Sequence, residues 1–325
     1  MKLAITGAGM IVKDFLTITK DLREVELQAI VGVDADLENM QALQEQYNIK
    51  EVYTDYETCL KEADIDTVYV AVPNHLHYAF AKKALEHGKH VVCEKPFTLK
   101  LAELIELKNL AQAADLILVE AITNQYLANY RGIKEAIATL GDLKLIECNY
   151  SQYSSRYDAF KAGTILPAFN PKMGGGALMD INIYNIHFVV GLLGRPSAVN
   201  YFANLEKDID TSGMLVLDYQ QTKVVCIGAK DSTAKIRSTI QGTKGSLIVN
   251  GPTNVVDSYA VEMNGTEAEE MDQKVYPHRM YEEFKTFAKM IADKDLAQAA
   301  TMMNHSEIVM EVVEAALADA RIALG

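Results

Sequence analysis

Short apolar runs alternate with amphipathic stretches through the first third of the 325-residue chain. Lys2–Thr6, Leu27–Val33, Thr67–Val72, His90–Cys93 and Leu116–Val119 read as buried strands, each bounded by turn residues. Between them, helical spacing of apolar positions runs over Met10–Lys20, Asn39–Tyr47, Tyr56–Glu62, Tyr78–Glu86 and Leu101–Ala113. Gly88 stands where the fourth of these helices should stop, since a residue without Cβ enters the left-handed C-cap conformation freely. Strand alternating with helix predicts a doubly wound parallel sheet covered on both faces, over residues 1–120.

Beyond Glu120 the pattern changes. A helix over Tyr130–Leu140 leads into a long alternating strand, Leu143–Tyr153, and then a polar, aromatic loop, Ser154–Lys172. Strand periodicity returns at Ala198–Leu205, Gly213–Tyr219, Lys223–Ala229, Lys235–Gln241 and Ser246–Asn250, which reads as an antiparallel meander. Helices over Arg279–Asp293 and Ser306–Ala323 close the chain. Residues 121–325 are therefore expected to form an α+β domain with a largely antiparallel open sheet. Strand positions such as Met214 and Leu215 are apolar on both sides, so the second sheet face should also be covered, most simply by a dimer through this sheet.

Between loop and meander, Gly174-Gly175-Gly176 opens an apolar helix that runs to Gly194. Against Ile181, Ile183, Ile186, Phe188 and Val189, the polar residues Asp180, Tyr184 and His187 recur at i, i+4 and i+7 as one stripe. A carboxylate on such a helix needs a partner, and a lysine from the first domain, Lys95, would supply one.

Composition narrows the class. With 49% hydrophobic and 23% charged residues the chain is an ordinary globular protein, long enough for two domains. A net charge of −13 argues against nucleic acid or an anionic membrane as partner. Cys59, Cys93, Cys148 and Cys226 are scattered, which suggests reduced thiols, no metal site and a cytoplasmic setting. The N-terminal apolar run ends at Gly7, too early for a signal peptide, and no stretch reaches roughly 18 continuous apolar residues.

The chemistry starts at Gly7-Ala8-Gly9-Met10-Ile11, between a strand and a helix, with Asp34 closing the next strand. This is the context of a dinucleotide fingerprint, with Gly7 for the tight turn and Gly9 for close approach of a pyrophosphate. Met10 and Ile11 begin the helix, and Val12 stands where the third glycine of the pattern belongs. Asp34 would hydrogen-bond ribose hydroxyls and repel a 2′-phosphate, so NAD is favoured over NADP. Val72, Pro73, Asn74 and His75 follow a strand and should line the cofactor, with Asn74 able to cap the next helix. His77 is expected to be exposed. Glu94 and Lys95 close the fourth strand, where ligands bind in such sheets.

Gly7-x-Gly9, Pro73-Asn74-His75-x-His77, Gly88-Lys89-His90-Val91-Val92-Cys93-Glu94-Lys95-Pro96 and Gly174-Gly175-Gly176-Ala177-Leu178-x-Asp180 together resemble the glucose–fructose oxidoreductase, inositol dehydrogenase and rhizopine-catabolism (Gfo/Idh/MocA) family. The resemblance spans almost the whole chain. It implies an N-terminal Rossmann domain, a C-terminal α+β domain with an open sheet used for dimer or tetramer assembly, and NAD(P)-dependent oxidation or reduction of sugars, polyols and related diols. Tyr184, four residues after Asp180, resembles the glucose–fructose oxidoreductase and dihydrodiol dehydrogenase branch; inositol-dehydrogenase-like members carry His there. The expected catalytic set is Lys95, Asp180 and Tyr184, with His187 as a rival base. Tyr126, Tyr153, Arg156 and Tyr157 are further candidates to touch a small polyhydroxylated substrate. Two other readings remain at this point: an NAD-binding sensor without turnover, and an NAD-dependent glycosidase.

Overall fold

The computed structural model describes residues 1–325, which divide into two compact units. The first comprises Met1–Ala121 and Met280–Ser306, the second Ile122–Arg279 and Glu307–Gly325.

In the first unit six parallel strands, β1 (Lys2–Thr6), β2 (Glu26–Val31), β3 (Glu51–Tyr53), β4 (Thr67–Val70), β5 (His90–Glu94) and β6 (Leu118–Ala121), are ordered β3-β2-β1-β4-β5-β6. The helices between them are α1 (Met10–Leu16), α2 (Leu37–Tyr47), α3 (Tyr56–Glu62), α4 (His77–Glu86) and α5 (Leu101–Ala113). Strand residues such as Leu3, Ala4, Ile5, Val68, Tyr69, Val91 and Val92 are wholly buried, as a sheet covered on both faces requires. Strand order reverses between β1 and β4, and the doubly wound expectation holds. The three-residue strand β3 escapes the periodicity, and α1 is shorter than expected because the chain tightens into a turn at Thr19–Asp21.

The second unit contains α6 (Ala128–Ala136), β7 (Leu143–Ser151), α7 (Tyr157–Lys161), a π turn at Leu178–Asn182 continuing as α8 (Ile183–Leu193), and the strands β8 (Ala198–Glu206), β9 (Ile209–Tyr219), β10 (Thr222–Ala229), β11 (Arg237–Gly242), β12 (Gly245–Asn250), β13 (Ser258–Met263) and β14 (Glu269–Met271). Its eight strands are ordered β14-β13-β12-β11-β7-β10-β9-β8. The sheet is not a simple meander. β7 inserts between β11 and β10 and runs parallel to β10, with Cys148 opposite Cys226. One face (Ile146, Cys148, Leu215, Leu217, Cys226, Ile240, Leu247) is buried. On the other, register aligns Phe202, Met214 and Ile227, and Phe202 and Met214 are 62% and 49% exposed. The run Pro171–Leu193 is long and apolar enough to span a membrane by composition alone, but 72% of its apolar window is buried within the fold, as a core helix is.

The last two helices, α9 (Met280–Asp293) and α10 (Leu296–Asp319), correct the expected boundary. Residues 121–325 are not one continuous domain, because Met280–Ser306 returns to the first unit. Phe284 on α9 meets Phe15 at 4.0 Å and Tyr69 at 5.0 Å between ring centroids, and Ser306 donates to Glu120 at 2.6 Å. Burying these rings is what draws the segment back.

Candidate active site

In the first unit the expected cofactor residues gather at the carboxyl ends of the parallel strands. Gly7, after β1, has φ +92°, and a Cβ there would lie 2.7 Å from the Ala71 carbonyl oxygen after β4. The chains leaving β1 and β4 thus meet at the point of strand reversal, where such sheets bind ligands. Gly9, by contrast, faces open space, with nothing within 4 Å of an added Cβ. The loop between them is held from behind: Gly7 N–H donates to Val31 O at 2.8 Å and Asn39 Nδ2 to Ala8 O at 3.1 Å. Met10 is 70% exposed and Ile11 half-buried at the start of α1. Val12, in the third-glycine position, is buried on the inner face of α1 with Phe15 and Leu16. Asp34 is exposed at the start of the turn after β2. An open main-chain loop beside an exposed carboxylate fits a dinucleotide's pyrophosphate and ribose.

Val72, Pro73, Asn74 and His75 follow β4, with Pro73 and His75 exposed. Asn74 opens a turn (Asn74–Leu76) rather than capping α4, whose start has no side-chain cap. His77 corrects the sequence reading. It is 1% exposed, its Nδ1 lies 2.8 Å from the Pro96 carbonyl oxygen, and its Nε2 lies 2.8 Å from that of Val72. One buried ring therefore joins the loop after β4 to the turn carrying Lys95. Burial pushes the imidazole pKa down, outweighing the two carbonyl acceptors that favour the charged form.

Lys95 is half-buried and precedes a cis bond to Pro96. Glu94, 8% exposed, accepts the Tyr69 hydroxyl at 2.6 Å. Glu120 is also buried, accepting the Phe97 N–H at 3.1 Å and the Ser306 hydroxyl at 2.6 Å. The lysine turn is braced from below by two carboxylates and a histidine, of which the sequence signalled only Glu94 as a site residue.

In the second unit the polar stripe is real but its members differ. Asp180 lies on the π turn with its side chain 37% exposed, Tyr184 is 9% exposed and His187 fully buried. The Tyr184 ring lies 6.2 Å from that of Tyr150, and its carbonyl accepts from Asn124 Nδ2 at 2.9 Å. The expected Asp180 partner was a lysine of the nucleotide half. For Oδ2 the structure supplies one from the same unit, Lys230 Nζ at 2.7 Å. Lys230 carried no sequence signal beyond its place at the end of a strand.

Beneath this turn, Asp210 accepts from the Leu178 N–H at 2.6 Å and the Tyr201 hydroxyl at 2.7 Å through one oxygen, while the other has no hydrogen-bond partner. Complete burial pushes its carboxyl pKa up.

The remaining substrate candidates are committed to the fold in different degrees. Tyr126 is buried, and its carbonyl accepts from Arg131. Tyr153, 40% exposed, donates to Asp158 at 2.8 Å and accepts from Lys161 at 3.0 Å. Tyr157 stacks among Phe160 and Phe169 and donates to Glu206, which raises its phenol to about 12. Arg156 begins α7, its N–H bonded to the Ser154 hydroxyl at 3.2 Å.

Residues 1–121 match the oxidoreductase family model described as an NAD-binding Rossmann fold, and residues 130–248 match the GFO/IDH/MocA C-terminal domain. The chain is 34% identical over 252 residues to scyllo-inositol 2-dehydrogenase (NADP(+)) IolU of Bacillus subtilis (strain 168), covering 77% of this chain and 76% of the relative. It is 29% identical over 272 residues to trans-1,2-dihydrobenzene-1,2-diol dehydrogenase of Xenopus tropicalis, 82% and 79% of the two chains. Among solved structures, KijD10, a 3-ketoreductase from Actinomadura kijaniata in complex with NADP and TDP-benzene, superposes with a TM-score of 0.84 at 19% identity, over 97% of this chain and 98% of that one.

Proposed function

The chain belongs to the Gfo/Idh/MocA family of NAD(P)-binding oxidoreductases, and from that premise we propose that it oxidises a carbinol, or reduces the matching carbonyl, of a sugar, polyol or related diol. The observation that carries the reading is Asp180, a carboxylate 37% exposed at the start of a largely buried helix, with a phenol one turn on. A hydroxyl-rich substrate presents donors to the exposed edge of such a carboxylate; a purely apolar one presents none.

When bound, NAD(P) supplies the hydride donor or acceptor. Gly7, Gly9, Met10, Ile11 and Asp34 would hold its adenosine half, and Val72, Pro73, Asn74 and His75 the other. The chain's own residues handle the oxygen and its proton. Lys95 polarises the oxygen on the reacting carbon, Tyr184 gives or takes the proton there, and Asp180 accepts a hydrogen bond from a substrate hydroxyl. His187, wholly buried, supports the helix.

The finer readings rest on single features. NAD is favoured over NADP because Asp34 and Asp36 put two carboxylates after β2 with no arginine between them, although the Bacillus relative is named for NADP(+). Two copies pair through the open sheet face, which offers Phe202, Met214, Ile227, Val216 and Val225 as an apolar patch beside the exposed Glu147. The net charge of −13 supports neither nucleic acid nor a membrane as partner, and four unbridged cysteines support the cytoplasm as its compartment.

The test is an absorbance screen of the purified protein with oxidised and reduced NAD and NADP against polyols, aldoses and vicinal diols. Turnover of at least one class is expected, abolished in Tyr184→Phe and largely kept in His187→Asn. Cofactor binding without turnover of any probe would reject the reading.

A further inference from the structure

Lys230 is the residue immediately after β10, and its N–H donates to Thr211 O at 2.8 Å. Its side chain is 2% exposed. The ammonium lies 2.7 Å from Asp180 Oδ2, donates to the Ala168 carbonyl, and sits 4.2 Å from the centroid of the Phe169 ring. An ammonium offers three donors. Here they are ringed by a carboxylate, a carbonyl and a π face, so the cation is compensated from inside the fold. Asp180, at 37% exposure, is the outer member. The pair is oriented: cation within, carboxylate towards the surface.

An ion pair of this kind adds little to stability, because removing the cation from water offsets its attraction to the partner. Nor does the backbone of the turn depend on it. Leu178 N–H is held by Asp210 at 2.6 Å, Asn182 Nδ2 donates to Cys226 O at 3.1 Å, and Asn185 Nδ2 to Ile227 O at 3.1 Å. The Ala168 carbonyl also accepts from Gly176 N–H at 3.1 Å, which ties the preceding loop to the helix start without the lysine. What Lys230 adds is a fixed point for the carboxylate itself, whose side-chain torsions the backbone bonds leave open.

We propose that Lys230 is a positioning residue for the reaction: by holding Oδ2 of Asp180 from within its own unit, it sets the orientation in which that carboxylate meets a substrate hydroxyl. This rests on the reading that Asp180 serves turnover. The lysine touches neither substrate nor cofactor in this role and acts through the aspartate.

The test uses the full-length enzyme with bound cofactor and three probes: scyllo-inositol, D-xylose and trans-1,2-dihydrobenzene-1,2-diol. On the probe turned over, Lys230→Met is expected to lower kcat by about tenfold or more. Its affinity for NAD(P)H should stay within about twofold of the parent, and Lys230→Arg should recover most of the lost rate. Lys230→Met combined with Asp180→Asn should be no slower than Asp180→Asn alone, since the lysine then has nothing to orient. A Lys230→Met enzyme with kcat within about twofold of the parent overturns the proposal, as does a loss that multiplies in full with that of Asp180→Asn. Should Lys230→Met not fold, Lys230→Gln, which keeps a donor and loses the charge, is read by the same criteria. If Asp180→Asn keeps full turnover, or no probe is turned over, the underlying reading fails first and takes this one with it.

Discussion

Two glycines in one loop should respond oppositely to the same substitution. At Gly7 the backbone has φ +92°, and an added Cβ would stand 2.7 Å from the Ala71 carbonyl oxygen. The left-handed conformation costs an ordinary residue about 1–2 kcal/mol, and overpacking against main chain adds about 1–3 kcal/mol. Gly7→Ala should therefore destabilise the first unit by about 2–5 kcal/mol, lowering its melting temperature by roughly 5–15 °C. Gly9 has φ −77° and ψ −170°, which alanine adopts freely, and open space around it. Stiffening the unfolded chain there stabilises by about 0.4–1 kcal/mol, while alanine is a poorer helix N-cap than glycine by a similar amount. The two effects nearly cancel, so Gly9→Ala should melt within about 2 °C of the parent. Its methyl group nevertheless occupies the approach to the open loop, and affinity for NADH and NADPH should fall at least about tenfold, or about 1.4 kcal/mol. Thermal melting without cofactor, paired with fluorescence titration of each reduced nucleotide, separates the effects. Wild-type affinity in Gly9→Ala would refute the assignment of this loop to the pyrophosphate.

Asp34→Ala should relax discrimination between the cofactors, raising affinity for NADPH relative to NADH by about tenfold; unchanged ratios would detach Asp34 from the ribose. His77 gives a pH signature. Its folded pKa lies below the ordinary value of 6.5. The unfolded chain therefore binds more protons between the two values, and the histidine's contribution is complete above 6.5 and declines as pH falls towards the folded pKa. Subtracting the melting curve of His77→Gln, whose amide does not titrate, should isolate that decline; a pH-independent difference would show that His77 carries no linked proton. On the proposed pairing through the open sheet face, where Phe202 is 62% exposed, Phe202→Glu should give a monomer in light scattering at unchanged melting temperature. A variant that remains self-associated would direct attention away from that face.

The local grammar of the chain was legible before its shape. Tyr56–Glu62 and Leu101–Ala113 form helices with the expected bounds, and Gly88 takes φ +68° as a helix end requires. The strand-glycine-helix-strand-acid order around Gly7, Gly9 and Asp34 pointed to the cofactor region for the same reason. Each of these features is determined by backbone sterics and by side chains a few positions apart, so a short window contains the whole cause. The three-residue strands β3 and β14 leave too little periodicity to read. What only the tertiary structure decided lies between distant segments: β7 slotting parallel to β10, Phe284 carrying α9 back to the first unit, His77 turning inward to two carbonyls, and Lys230 reaching Asp180. A lone lysine after a strand is by default a surface charge. It becomes an internal cation only when folding encloses it with a carboxylate, a carbonyl and a ring from separate stretches of chain, and no local pattern encodes that compensation.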